Sequence, residues 1–141
     1  RGLATKWSKL PDSSFNSLKN IKVLVLLDLL GATQNEFYDF NPIDREASRM
    51  FRDLAKLEVE LFGSNVHFQS SRQFDKYNGA AVEDDHTPFL PFGVPILHLI
   101  PLPFPDAWHN PKDTIEALNP ETCSKLSQII YKFIRRELHV Q

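Results

Sequence analysis

One cysteine, Cys123, stands in a chain of 141 residues. A single thiol excludes an internal disulfide and any CxxC zinc pattern, and it is silent on compartment. Long hydrophobic runs are missing too. The longest, Val23 to Leu30, is interrupted by Asp28 and is far too short to span a bilayer. Charge of one sign is scarce: the net charge is −2, with no basic block to suggest nucleic acid or an anionic membrane surface as partner. There are no repeats and no low-complexity segment. The chain opens Arg1-Gly2-Leu3, with neither an initiator Met nor a signal-peptide pattern, and the expectation is that Arg1 is not the first residue of its gene. What is present, 42% hydrophobic and 24% charged residues, suits one compact unit with a sizeable core.

The apolar residues then divide the chain. Ile21 to Leu30, IKVLVLLDLL, reads as a strand buried on both faces. Arg45 to Phe62 repeats its apolar residues at three- and four-residue spacing, from Ala47 and Met50 to Leu61, with Gly63 as C-cap. Val94 to Ile100 reads as a second buried strand, preceded by a short helix over Thr87 to Leu90. A last helix starts at the N-cap Asn119, with Pro120 at its first position and Leu126, Ile129 and Phe133 in its buried stripe. Arg1 to Asn20 shows no sustained periodicity and reads as a surface loop around Pro11 and Asp12. Gly31 to Pro42 is a loop rich in aromatics, Asn65 to Lys76 a weak edge strand, and Tyr77-Asn78-Gly79 a turn. Two strands and two amphipathic helices predict a layered α/β architecture.

Six of the ten prolines fall between Pro88 and Pro105. They frame the stretch EDDHTPFLPFGVPILHLIPLPFPDAWH, Glu83 to His109, which delivers acids at one end of a strand and an aromatic–histidine pair at the other. In α/β folds ligands bind beyond the carboxyl ends of strands. Asp28, inside an apolar run, is either a buried structural carboxylate or one projecting into a cleft. Asp84 and Asp85 are neighbours, so extended backbone sends their side chains to opposite sides and at most one enters a site easily. A meeting of Asp84 with Asp28 would raise one carboxyl pKa and make a proton carrier. His109 is a loop residue or a zinc ligand. His86 has the same open standing, His98 reads as a hydrogen-bonded core histidine, and His67 and His139 read as exposed.

The combined string, DLLGA after a strand, then the segment from Glu83 to His109, then a capped terminal helix, resembles the glutaminyl-peptide cyclotransferases over Thr5 to Val140. These are single-zinc relatives of the M28-type zinc aminopeptidases. The resemblance implies an α/β fold, the C-terminal part of a mixed-sheet α/β/α zinc aminopeptidase-like domain, with residues 1–141 forming the C-terminal part of one catalytic domain. It implies conversion of the N-terminal glutamine of peptides to pyroglutamate, with release of ammonia and with zinc as cofactor. His109 then resembles the last zinc ligand and Trp108 the indole donor to the substrate's side-chain amide. Asp84 resembles the catalytic acid and Asp28 its carboxylate partner. Phe104 and Val82 resemble walls of the glutamine pocket, and Glu83 the position whose backbone carbonyl holds the substrate amine. Asn110 departs from the family pattern, which often has Thr after the Trp–His pair. The other zinc ligands and the general base are expected from an N-terminal part of the same enzyme, and the location in the secretory pathway, secreted or Golgi. The alternatives are an M28-type zinc aminopeptidase and an inert fragment that acts by binding.

Overall fold

A computed structural model describes residues 2–12, 17–33, 35–40, 43–69 and 82–139. Two strands, β1 (Leu24–Leu27) and β2 (Ile96–Leu99), pair in parallel with Leu24 opposite Ile96 and Leu27 opposite Leu99. Parallel partners need a long crossover. It contains helix α2, Arg45–Phe62, and helix α3, Pro120–Glu137, packs beside α2. Counting the short helix at the start, Gly2–Trp7, as α1, the order is α1, β1, α2, β2, α3, with 3₁₀ helices at Leu18–Asn20, Thr87–Phe92 and Ile115–Ala117.

Alternation along the strands sorts their side chains into two layers. Leu97 and Leu99, with Val25 beside them, pack against the apolar stripes of α2 and α3, including Leu54, Leu57, Ile129 and Phe133. Ile96 and Leu24 face the other way and meet Leu18, Trp7 and Phe89. Helices therefore cover both faces of the strand pair, the α/β/α layering expected from the chain.

Local signals set the helix ends. Asp44 caps α2 by accepting the N–H groups of Glu46 and Ala47, and Gly63 ends it in the left-handed region at φ 77°. Asn119 caps α3 by accepting the N–H of Thr122, with Pro120 at the first helical position.

Tertiary context overrides the sequence reading elsewhere. The strand expected over Ile21 to Leu30 shrinks to four residues and is only half buried, with Leu27 46% exposed. An edge strand is less shielded than a central one, and among the described residues β1 pairs with β2 alone. The supposed loop at the start contains α1, which buries Ala4; six residues are too few for a helical period to show. The aromatic loop after β1 is core as well. Phe37 and Tyr38 are buried, and Phe37 forms a parallel bridge to Phe68 with ring centroids 5.5 Å apart. Within the described residues that bridge is all that appears of the edge strand expected over Asn65 to Lys76; residues 70–76 and the Tyr77-Asn78-Gly79 turn lie outside them. His67, expected at the surface, is buried against Glu58 of α2, whose carboxylate accepts the His67 backbone N–H at 3.1 Å and pairs with its Nδ1. Burial raises the pKa of Glu58, but the hydrogen bonds from His67 and the Val66 backbone outweigh it and hold the group below its ordinary value.

Gly31 joins β1 to α3. Its carbonyl accepts the Asn119 N–H at 2.7 Å, and it sits at φ +107°. A Cβ there would lie 2.7 Å from Cys123 Sγ and 3.2 Å from Leu118 Cδ2. Gly31→Ala should therefore lower the unfolding free energy of the intact protein by at least about 1–3 kcal/mol through backbone strain alone. Adding Cys123→Ala should recover only the part owed to the clash. Denaturant midpoints read both, and an unchanged midpoint in Gly31→Ala would contradict the packing described.

Candidate active site at the carboxyl ends of the strands

Because β1 and β2 run parallel, their carboxyl ends share one edge of the sheet. Asp28 is the first residue past β1, and its N–H makes the last ladder bond, to Leu99 O at 3.1 Å. Its Oδ1 accepts the N–H of Leu29 at 2.9 Å, and Leu29 then turns away at φ 54°. Asp28 thus stands half buried just beyond the strand rather than within it. By alternation it shares a sheet face with Leu26 and with Leu26's partner His98.

The acid pair is divided, although Asp85 lies in the turn before the 3₁₀ helix and not in extended backbone. Asp84 turns inward, where its Oδ2 lies 3.1 Å from Nε2 of His98, while Asp85 is exposed. Asp84 Oδ1 accepts the Asp85 N–H at 2.7 Å, and the Asp84 backbone exchanges hydrogen bonds with Thr87, the first residue of the following 3₁₀ helix. A carboxylate only accepts, so where Asp84 is ionised the contact puts the His98 proton on Nε2. The His98 ring is buried between Phe40, at 5.6 Å, and His86, at 4.4 Å. Burial, and then the neighbouring His86, push His98 below the ordinary histidine value against the pull of Asp84 and Asp28. Burial does the same to His86, against Asp84.

No hydrogen bond joins Asp28 to Asp84. The contact expected between them is replaced by one from Asp84 to His98, and both carboxylates act electrostatically on that imidazole. Each aspartate already spends an oxygen on the N–H that follows it, and the imidazole holds the second oxygen of Asp84. The expectation that His98 is a hydrogen-bonded core histidine matches this arrangement. Its partner, Asp84, lies fourteen residues earlier in the chain and is brought to it only by the fold. Alternation from Asp28 leads only to His98, and Asp84 comes from outside both strands.

The second group follows β2. The Phe104 ring meets Trp108 edge-on at 4.7 Å, and Trp108 stacks on His109 at 4.1 Å and 22°. His109 has φ 56°, a strained conformation for a residue with a Cβ. Asn110 organises this loop: its Nδ2 donates to Asp106 O at 2.6 Å and its Oδ1 accepts the Lys112 N–H at 2.9 Å. The departure from the family pattern thus shapes the loop that presents His109. The His109 ring is exposed, and among the described residues neither nitrogen has a hydrogen-bond partner, which leaves a nitrogen donor of the kind zinc takes. The described residues contain no cluster of three or more possible ligands, so His109 fits zinc as one member of a set the rest of which is not among them.

The expected substrate residues are dispersed. Val82 lines a cavity of about 160 Å³ with His86 and His98. Phe104 lines a separate groove with Thr33 and Lys112, so the two proposed walls do not share a pocket here. Glu83 is exposed beside Asp85.

The model of peptidase family M28 matches residues 4–134. The chain belongs to peptidase family M28. It is 41% identical over 125 residues to a glutaminyl-peptide cyclotransferase-like protein of Mus musculus, covering 86% of this chain and 32% of the relative. It is 38% identical over 150 aligned residues to the glutaminyl-peptide cyclotransferase of Boiga irregularis, covering 99% and 39%. The crystal structure of Macrostomum lignano glutaminyl cyclase superimposes with a TM-score of 0.76 at 28% identity, over 99% of this chain and 47% of that one. The Porphyromonas gingivalis glutaminyl cyclase shares the fold at a TM-score of 0.68 and 18% identity. The resemblance read from the string ending in Trp108-His109 is therefore shown by these relatives. The chain spans about two fifths of the length of the Boiga relative and about a third of the mouse one.

The two depressed histidines make stability depend on pH. Unfolded histidines take up protons near pH ~6.5, whereas His86 and His98 do so only at lower pH when folded. Below that point the unfolded state binds more protons, so stability falls as pH falls. The Tm of the intact protein should drop as pH is lowered from ~6.5 towards ~5. His98→Gln keeps an N–H for Asp84 but does not titrate, and should flatten this slope in thermal melts. An unchanged slope would place its origin elsewhere.

Proposed function

We propose that this chain is part of a glutaminyl-peptide cyclotransferase that converts the N-terminal glutamine of peptides to pyroglutamate. The observation that carries the reading is the Phe104–Trp108–His109 ring ladder at the carboxyl ends of two parallel strands, in a chain whose relatives carry that name. In the reaction the α-amine nitrogen attacks the carbon of the glutamine side-chain amide. One C–N bond forms, the bond to the amide NH2 breaks, and ammonia leaves. The proton lost by the amine ends on the departing nitrogen, so nothing is oxidised or reduced.

Each residue has a role in this reading. His109 would hold zinc together with ligands from the N-terminal part of the enzyme. When bound, zinc would supply Lewis-acid polarisation of the side-chain carbonyl. The Trp108 indole N–H meets the substrate's side-chain amide, and Phe104, packed edge-on against Trp108, fixes that indole. Asp84 presents the oxygen edge left free by His98 and Asp85 to the amide nitrogen and returns the proton to it. Asp28 adds negative charge behind His98. Val82 closes the glutamine side, and the Glu83 backbone carbonyl holds the amine. A folded glutamine side chain held by such walls makes the attack intramolecular and near its reacting geometry.

The N-terminal part of the same enzyme is the partner in this reading. Among the described residues β1 pairs with β2 alone, and this and the exposed Leu27 support it, since a strand of that composition is suited to a neighbour on each side. A place in the secretory pathway rests on the family resemblance alone. A two-metal aminopeptidase is the weaker alternative, because an indole stacked on the ligand histidine gives a side-chain amide a donor that a water nucleophile does not need.

Two measurements test the reading. His109→Ala in the intact enzyme should strip zinc or sharply lower its occupancy by atomic absorption, and full metal content would remove His109 from the ligand set. Asp84→Asn should cut kcat by about 10²-fold or more with little change in KM, followed as pyroglutamate formation from a glutaminyl peptide. Asp85→Asn, whose side chain is exposed, should leave both constants near their original values. Equal losses in the two variants would show that Asp84 is structural.

A further inference from the structure

Behind Asp84 lies a feature the reaction above does not use. His86 and His98 line the same cavity of about 160 Å³, with Tyr38, Phe40 and Leu90 among its other walls. Both imidazoles are more than nine-tenths buried, and among the described residues the Nδ1 atoms of both are buried without a hydrogen-bond partner. Their ring centroids are 4.4 Å apart at 43°. Buried polar atoms are ordinarily satisfied, so two bare nitrogens on one cavity ask for an explanation.

We propose that His86 is a positioning residue for Asp84 that acts through His98: as the second imidazole on the cavity, it keeps His98 singly protonated at Nε2, so that Asp84 always receives an N–H. This role for His86 rests on the reading of Asp84 as proton carrier. With Nε2 committed to Asp84, a second proton on His98 has only Nδ1 to go to. Two imidazoles this close cannot both become cations without strong mutual repulsion. A proton entering the cavity therefore goes to one ring only, and His86 is the less buried of the two. Once charged, His86 repels a proton from His98.

The charges around His98 would otherwise favour its protonation. Asp84 touches it from the segment before the 3₁₀ helix, Asp28 acts from the end of β1, and Asp39 stands on the cavity wall, where Ser48 Oγ donates to its carboxylate. Against Asp84 and Asp28, burial and His86 push His98 towards its neutral form. Were His98 to become a cation, Asp84 would be locked in an ion pair and less able to give or take a proton at the substrate. Backbone geometry keeps His86 in place: its carbonyl accepts the Phe89 N–H at 2.9 Å at the start of the 3₁₀ helix.

The test uses the intact enzyme with isotope-labelled histidine, its ring nitrogens followed by NMR from about pH 8 to about pH 5. Native His98 should carry its proton on Nε2 and stay neutral to lower pH than an ordinary histidine. His86→Gln removes the competing charge and places an amide carbonyl where a second proton on Nδ1 could bond. In that variant His98 should take up its second proton at higher pH, and the acid limb of kcat should move with it while KM stays near its original value. A proton on Nδ1 in the native enzyme, or an unchanged His98 titration in His86→Gln, overturns the proposal. The native measurement needs no variant and stands if His86→Gln fails to fold. A titration that moves while kcat does not would uphold the lock and instead overturn the reading of Asp84 as proton carrier.

Discussion

The parallel pairing of β1 with β2 is the constraint on which the site depends. Parallel strands bring their carboxyl ends to the same edge, and the last ladder bond, Asp28 N–H to Leu99 O, fixes how far each strand runs before its chain departs. Asp28 on one strand and the Phe104–Trp108–His109 loop on the other are presented at a common edge for this reason. An antiparallel pair would send the same residues to opposite ends. The crossover that parallel pairing demands is also what builds the core. α2 lies in that crossover, and its apolar stripe, with that of α3, covers the face formed by Leu97 and Leu99.

Two buried histidine arrangements show how differently this fold treats the same side chain. His67 is satisfied twice by Glu58, through its backbone N–H and its Nδ1, and the pair ties residues 65–69 to the middle of α2. That is a structural contact, made by the backbone N–H and one ring nitrogen. His98 is satisfied at one nitrogen only, and its neighbour His86 leaves a second nitrogen bare on the same cavity. Among the described residues, the buried imidazole nitrogens without a partner are Nδ1 of His86 and Nδ1 of His98, and both lie beside an acid at the strand ends.

The parts of the fold legible from sequence are those set by local chemistry. Asp44, Gly63, Asn119 and Pro120 mark helix ends through hydrogen bonds and dihedral angles that span a few residues, and both long helices follow the periodicity of their apolar residues. The extent of β1 was not legible. A run of apolar residues carries no mark of where pairing ends, and that end depends on Leu99, some seventy residues on. His67 reads as exposed until Glu58 is brought to it by the turn after α2. At the site, the string from Glu83 to His109 was enough to name the family, because a long, unusual pattern of acids, prolines and aromatics carries much information. The partner of Asp84 was not legible. Two carboxylates in one neighbourhood suggest each other, and only the fold shows an imidazole taking the place between them.

Backbone strain completes the argument about where function lies. Of the described residues other than glycine, only Leu29, His109 and His139 have positive φ, and the first two flank the candidate site, one after each strand. Such conformations persist only when their surroundings hold them. Leu29 is held because Asp28 accepts its N–H and because Gly31, two residues on, is clamped to the start of α3. His109 is held because Trp108 stacks on its ring and Asn110 pins the loop with three side-chain hydrogen bonds. The restraint that makes His109 strained is thus the same restraint that aims it. A more relaxed loop would let the imidazole swing away from the indole and from any metal shared with another part of the protein. Strain at this position is the cost of delivering one nitrogen to a fixed point at the end of β2.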